Sequence, residues 1–132
     1  MFLKWEEFNM LKVFGLVRMV CDPVIRKVPV PNKGEVSVAR FTVAHNEYRK
    51  VNGENVRHGM FFDCEAWDSG ADILAEQVKK GDLIGIEARL REEKWEDKDT
   101  GKTRRKNVLR VEKFEIASRA KNNVKDDDVD ET

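Results

Sequence analysis

The stretch Gly81-Asp82-Leu83-Ile84-Gly85-Ile86-Glu87-Ala88-Arg89-Leu90-Arg91-Glu92-Glu93-Lys94-Trp95-Glu96-Asp97 decides how the rest of the chain is read. Ile84, Ile86, Ala88 and Leu90 alternate with Glu87, Arg89, Arg91 and Glu93, the period of two expected of a strand with one face packed and one face wet. The same count carries Trp95 onto the wet, arginine-bearing face. A large aromatic in that position either packs beneath a neighbouring loop or offers a surface on which something flat and negatively charged stacks.

Working outward, the residues just upstream read as the chain's one helix, over about 69–80. Ser69 with Asp72 resembles a capping box, Ile73, Leu74 and Val78 form an apolar stripe, Lys79 and Lys80 suit the C-terminal dipole, and Gly81 suits the position after the helix. Before the helix, Gly59–Trp67 reads as a strand with Phe62, Cys64 and Ala66 on one face. Phe61, Asp63, Glu65 and Trp67 make its other face, so aromatics again stand among charges. Glu35–Asn46 is a further strand, with Ala39, Phe41 and Val43 turned one way and Arg40 and Thr42 the other. Residues 47–58, with Tyr48-Arg49-Lys50 and Asn52-Gly53, read as a polar hairpin loop. Residues 22–34 hold all three prolines and read as a loop. Leu11–Cys21 is the first strand. Downstream of Trp95, a loop with Asp99-Thr100-Gly101-Lys102, Arg104 and Arg105 leads to a last strand from about Lys106 to Ile116. Three strands, a short helix and a two-stranded hairpin is the order of a five-stranded, all-β OB-fold Greek-key barrel, a fold that binds oligonucleotides or oligosaccharides on one face.

At 132 residues the chain suits one domain, divided here into an N-terminal extension at 1–10, a barrel at 11–118 and an acidic disordered tail at 119–132. The formal net charge of zero hides an asymmetry, because Asp126, Asp127, Asp128, Asp130 and Glu131 crowd the tail and leave the body mildly basic. No apolar run reaches the ~18–20 residues of a membrane span, which leaves a cytoplasmic address as the expectation. Cys21 and Cys64 lack the paired spacing of a zinc site and are expected to be reduced. With two histidines, no nucleophile–base spacing and no glycine-rich phosphate loop, the sequence points away from an enzyme and calls for no cofactor or metal.

What remains is aromatic residues interleaved with bases. Tyr48, Phe61, Trp67 and Trp95 are candidate stacking platforms. Arg40, Arg49, Lys50, Arg89, Arg91, Lys94, Lys102, Arg104 and Arg105 are candidate phosphate contacts. This is the composition of a surface for single-stranded nucleic acid. The same face suits two other classes: a protein-interaction subunit, or a binder of RNA or oligosaccharide.

Five segments, in order, also resemble the bacterial-type single-stranded DNA-binding protein family, including versions carried by phages. They are Leu11-Lys12-Val13, Asp22-Pro23-Val24-Ile25-Arg26, Ala39-Arg40-Phe41-Thr42-Val43-Ala44, Val78-Lys79-Lys80-Gly81-Asp82 and Ile86–Trp95. The resemblance implies a homo-oligomer, most often a tetramer, that coats single-stranded DNA during replication, recombination and repair. It implies stacking by Tyr48, Phe61, Trp67 and Trp95 and phosphate contacts by Arg26, Lys79, Lys80, Arg91 and Lys94. Three departures stand out. Asp63 and Glu93 occupy positions where the family often has a base, Val17 replaces a common glycine, and the tail lacks both the long linker and the aromatic tip by which relatives dock replication or recombination proteins. The last points to a phage or divergent origin.

Overall fold

A computed structural model describes residues 11–121; the expectations for 1–10 and for the acidic run at 122–132 lie outside the described residues. Six strands and one helix follow in order: β1 Lys12–Met19, β2 Val24–Val30, β3 Gly34–Val51, β4 Glu54–Trp67, α1 Ser69–Gln77, β5 Leu83–Glu96 and β6 Thr103–Ser118. β1 pairs with β5, β5 with β6, β6 with β4, β4 with β3, and β3 returns to β1 at Arg18↔Ala44 and Met19↔Val43. Five strands therefore close into a barrel, the OB fold expected from the sequence, with β2 added outside β3. Closure is narrow, since the parallel β4–β6 seam is the pair Cys64↔Leu109 and Glu65↔Arg110.

The period of two in β5 does what it predicted. Ile84, Ile86 and Ala88 are buried with Met19, Phe41, Val43, Cys64 and Leu109, while Trp95 stands outside the core. Two insertions against β5, at Leu83/Ile84 and Glu87/Ala88, bend the β5–β6 pair around the barrel.

Five readings need correction. Residues 22–34 are not a loop throughout, because Val24–Val30 pairs along Gly34–Arg40 as an edge strand. Its branched residues favour extension, and Pro29 sits on an edge strand, where a missing N–H can be tolerated. Residues 47–58 are likewise not a loop. β3 and β4 continue as a paired ribbon to Val51↔Glu54, and only Asn52 and Gly53, at φ 52° and 81°, make the turn. These positive angles match the two-residue turn that follows strand twist. Arg104 and Arg105 belong to β6, not to the loop before it. The capping box does not form: Asp68, at φ 58°, is the N-cap, makes no side-chain cap bond, and places Ser69 inside the helix. Asp68 N–H donates to Ser37 O at 2.8 Å, which fixes this entry. The helix buries Ala71 and Leu74 and leaves Ile73 exposed, and it ends at Gln77, so Lys79 and Lys80 lie beyond it.

The turn after α1 is held by Asp82, which is fully buried. Its carboxylate accepts from Lys79 N at 2.9 Å and Ala120 N at 3.0 Å, while Asp22 Oδ1 accepts from Lys80 N at 2.7 Å. Charge-assisted bonds to backbone N–H groups are among the stronger ones. They fasten both the end of the helix segment and the chain just past β6 to the base of the barrel.

Candidate nucleic-acid interface

Register determines which side chains share a face, because directly opposed residues in an antiparallel pair point the same way. On β4 the outward residues are Arg57, Phe61, Asp63, Glu65 and Trp67, and opposite them on β3 lie Tyr48, Ala44, Thr42, Arg40 and Val38. On β5 and β6 the outward pairs are Trp95↔Arg104, Glu93↔Lys106 and Arg91↔Val108. On this face the pair Glu65↔Arg110 of the parallel seam joins β4 to β6. Tyr48, Phe61, Trp67 and Trp95 thus lie along one continuous outer face. Tyr48 and Phe61 are 69% and 66% exposed, and Trp95 is 46% exposed. Single aromatics this open do little for the core, but a row of them forms a platform.

Trp67 differs from the other three. The guanidinium of Arg110 lies 4.7 Å from its ring centroid, so one ring face is already covered, and its buried indole N–H has no hydrogen-bond partner among the described residues. Arg110 is in turn held by Glu65, Nε to Oε1 at 3.0 Å.

Between β2 and the β3–β4 pair lies a cavity of about 740 Å³, lined by Val24, Arg26, Val28, Pro29, Arg40, Thr42, Asp63, Glu65, Trp67 and Lys106 among others. A second hollow, of about 350 Å³, is lined by Arg40, Glu93, Lys94, Trp95 and Lys106. Arg40 and Lys106 line both, so the two run together from β2 to the β5–β6 hairpin. Volumes of this order suit small organic groups.

Acids and bases alternate along this floor. Arg40 Nη2 is 3.3 Å from Glu93 and 3.9 Å from Glu65, and Lys106 Nζ is 3.4 Å from Asp63 and 3.8 Å from Glu93. Asp63 also accepts a hydrogen bond from Thr42 Oγ1 at 3.3 Å. Glu65 is nearly buried by its two arginines. Cys64, behind this floor, is pushed up to about 12, chiefly by burial and secondarily by the charge of Asp63. Neither cysteine is in a disulfide.

The structure brings Arg26, Arg40 and Lys94 to these hollows. It places Lys50 on the Tyr48 face of the ribbon by parity, and turns Arg49 to the opposite face, where Arg49 pairs with Glu47 at 3.7 Å. Arg89 is drawn aside to Glu112 at 3.7 Å. Arg104 pairs with Asp97 at 3.1 Å, Arg105 lies 4.0 Å from Glu92, and Lys102 sits in the hairpin turn. The hydrogen bond from the Asp99 backbone, followed against opposing desolvation by the Arg104 bond and then one from the Thr100 backbone, holds Asp97 below the usual carboxylate range. Lys79 and Lys80 line neither hollow. Sequence reasoning missed Lys106 and Arg110 as members of this face. Their even-numbered alternation on β6 was the available signal.

The family model described as "Single-strand binding protein family" matches residues 10–117. A single-stranded DNA-binding protein of Aquifex aeolicus is 40% identical over 86 residues, which is 64% of this chain and 56% of that protein. Single-stranded DNA-binding protein 1 of a Nostoc species is 38% identical over 108 residues, covering 82% of each. The chain spans between about half and two thirds of the length of the Aquifex protein and of a Borreliella burgdorferi relative, at 56% and 64%. Among solved structures, a deletion mutant of the single-stranded DNA-binding protein from Thermus aquaticus superposes with a TM-score of 0.66 at 21% identity, over 80% of this chain and 49% of that one. A small single-stranded DNA-binding protein from Streptomyces coelicolor gives 0.62 at 17% identity, over 82% and 94%.

Proposed function

The chain belongs to the single-strand binding protein family, and on that footing we propose that its barrel binds and coats single-stranded DNA in replication, recombination and repair, acting as a binder and not as a catalyst. The observation that carries this reading is the continuous outer row of Tyr48, Phe61, Trp67 and Trp95 beside hollows that hold Arg26, Arg40 and Lys94. Bases stack on the exposed rings. The cations on the same face, Arg26, Lys50 and Arg91 foremost, follow the phosphates.

A homo-oligomer, with a tetramer favoured, belongs to the same proposal. β1 pairs along one edge with β5, but along the other it meets β3 only at Arg18 and Met19. Leu11, Phe14 and Leu16 are exposed beside that open edge, which is a template for another strand. The acidic run at 126–131 is proposed to compete with DNA for the basic parts of the face or to dock partner proteins, in the cytoplasm. Among the described residues no helix is long and apolar enough to cross a membrane.

The test is tryptophan fluorescence titrated with dT and rU oligomers at several salt concentrations. The expected result is quenching on binding dT, with affinity falling as salt rises. Absence of binding to either oligomer at low salt, or binding indifferent to salt, refutes the reading and favours a protein-contact role for the aromatic row.

A further inference from the structure

We propose that Asp63 biases this face towards cytosine and adenine, whose exocyclic amines are N4 and N6, over thymine. The inference rests on the single-strand-binding reading above and assigns a base class to one position within it. Asp63 lies two residues from Phe61 on the same face of β4, so the two backbone positions stand about 7 Å apart along the strand. Across the pair, Phe61 faces Ala44 and Asp63 faces Thr42. Ala44 is too short to cover the ring. A base laid on Phe61 therefore has room above Ala44 and can turn an edge towards Asp63, at the mouth of the larger hollow that Asp63 itself lines.

Asp63 is also the carboxylate there with acceptor capacity to spare. An ionised carboxylate offers about four acceptor sites. Two donors reach Asp63, Thr42 Oγ1 at 3.3 Å and Lys106 Nζ at 3.4 Å, and its side chain is still 53% exposed. Glu65, at 5% exposure between Arg40 and Arg110, has no such opening. Lys106 divides its charge between Asp63 at 3.4 Å and Glu93 at 3.8 Å, so it does not saturate Asp63. Cytosine N4 and adenine N6 bring N–H donors to the position where thymine O4 brings lone pairs. The first meet an open acceptor. The second meet like charge.

The experiment compares oligomers of 5-methyldeoxycytidine and thymidine of equal length, which share the ring methyl group and differ on the pairing edge. Each is titrated into the full chain at pH 8, and the quantity read is the ratio of the two affinities. Wild type is set beside Asp63→Asn, whose amide can present oxygen or N–H, and Asp63→Lys, which presents donors alone. Loss of a negative charge strengthens both oligomers alike and cancels in the ratio. The ratio of methylcytosine to thymine affinity is expected to fall by about fivefold or more in Asp63→Asn and further in Asp63→Lys. A ratio unchanged within about twofold in both variants overturns the role of Asp63 while single-strand binding stands. Failure of the wild type to bind either oligomer at low salt overturns the proposed function, and this inference with it.

Discussion

Replacing Phe61 with alanine separates stacking from packing. The ring is 66% exposed, so about a third of its surface is covered in the fold. For a side chain of roughly 200 Å² that is about 65 Å², a ceiling of about 1.5 kcal/mol at ~25 cal/mol/Å², less once a compact unfolded chain is allowed for. In a barrel of this size that lowers Tm by about 4–8 °C at most. Loss of one stacked base costs ~1–3 kcal/mol of affinity, a rise in Kd of about five- to 150-fold. Phenylalanine does not report in tryptophan fluorescence, so Trp67 and Trp95 remain intact as probes and both quantities are measurable on one variant. The expected outcome is a small fall in Tm with a large fall in affinity for dT oligomers. A Tm lowered by more than about 10 °C with Kd within about twofold of wild type would refute the stacking role and make Phe61 a packing residue.

The parts of this fold that could be read from sequence are those where one face is packed and one is wet. β5 records its two faces in alternation, and so do the barrel portions of β3 and β4 around Phe41 and Cys64. The ribbon beyond them failed because residues 49–51 and 54–59 are all exposed, and a strand wet on both sides has no period to show. β2 was hidden by Pro23, Pro29 and Pro31, which read as breakers but lie at the ends and on the edge of a strand whose other side needs no partner. The row Phe61, Trp67 and Trp95 was legible from parity alone. What parity cannot supply is the parallel seam between β4 and β6. That seam sets Arg110 on Glu65 and Lys106 on Asp63 across 45 and 43 residues of chain, and no local pattern announces a contact so distant. The alternating floor of the face is therefore a finding of the fold.

Further outcomes follow from the same geometry. With its pKa at about 12, Cys64 stays a thiol at pH 8, so a thiol reagent is expected to label half-buried Cys21 and to reach Cys64 only on unfolding. Because the folded value lies above that of a free thiol, its contribution to stability holds below about pH 8.5 and is lost as pH climbs towards about 12, which pH-dependent urea titration checks. Gly53→Ala puts a side chain at φ 81° in the ribbon turn, where open space removes any clash, and a loss of about 1 kcal/mol in stability is expected from backbone strain alone. Glu65→Gln leaves Arg110 and Arg40 without their shared buried carboxylate. Both arginines reach solvent, so about 1–2 kcal/mol is expected, seen as a lower urea midpoint at unchanged slope. The last outcome concerns salt. A cation that already faces a carboxylate has few counterions to release, and when a phosphate displaces that carboxylate the acid must find a new cation. Arg40, Lys106 and Arg110 are in this position, with Asp63, Glu65 and Glu93 between them. Arg26, Lys50, Arg57 and Arg91 have no ion-pair partner among the described residues and lie on the binding face or its ribbon, so they count in full. Four such groups give a slope of log affinity against log salt of about −3 for single strands. Glu93→Gln, which frees Arg40 and Lys106 in part, should steepen that slope by about 1. A wild-type slope near −5 or beyond, with no change in Glu93→Gln, would mean that the acids of the floor leave the bases beside them as available as any others.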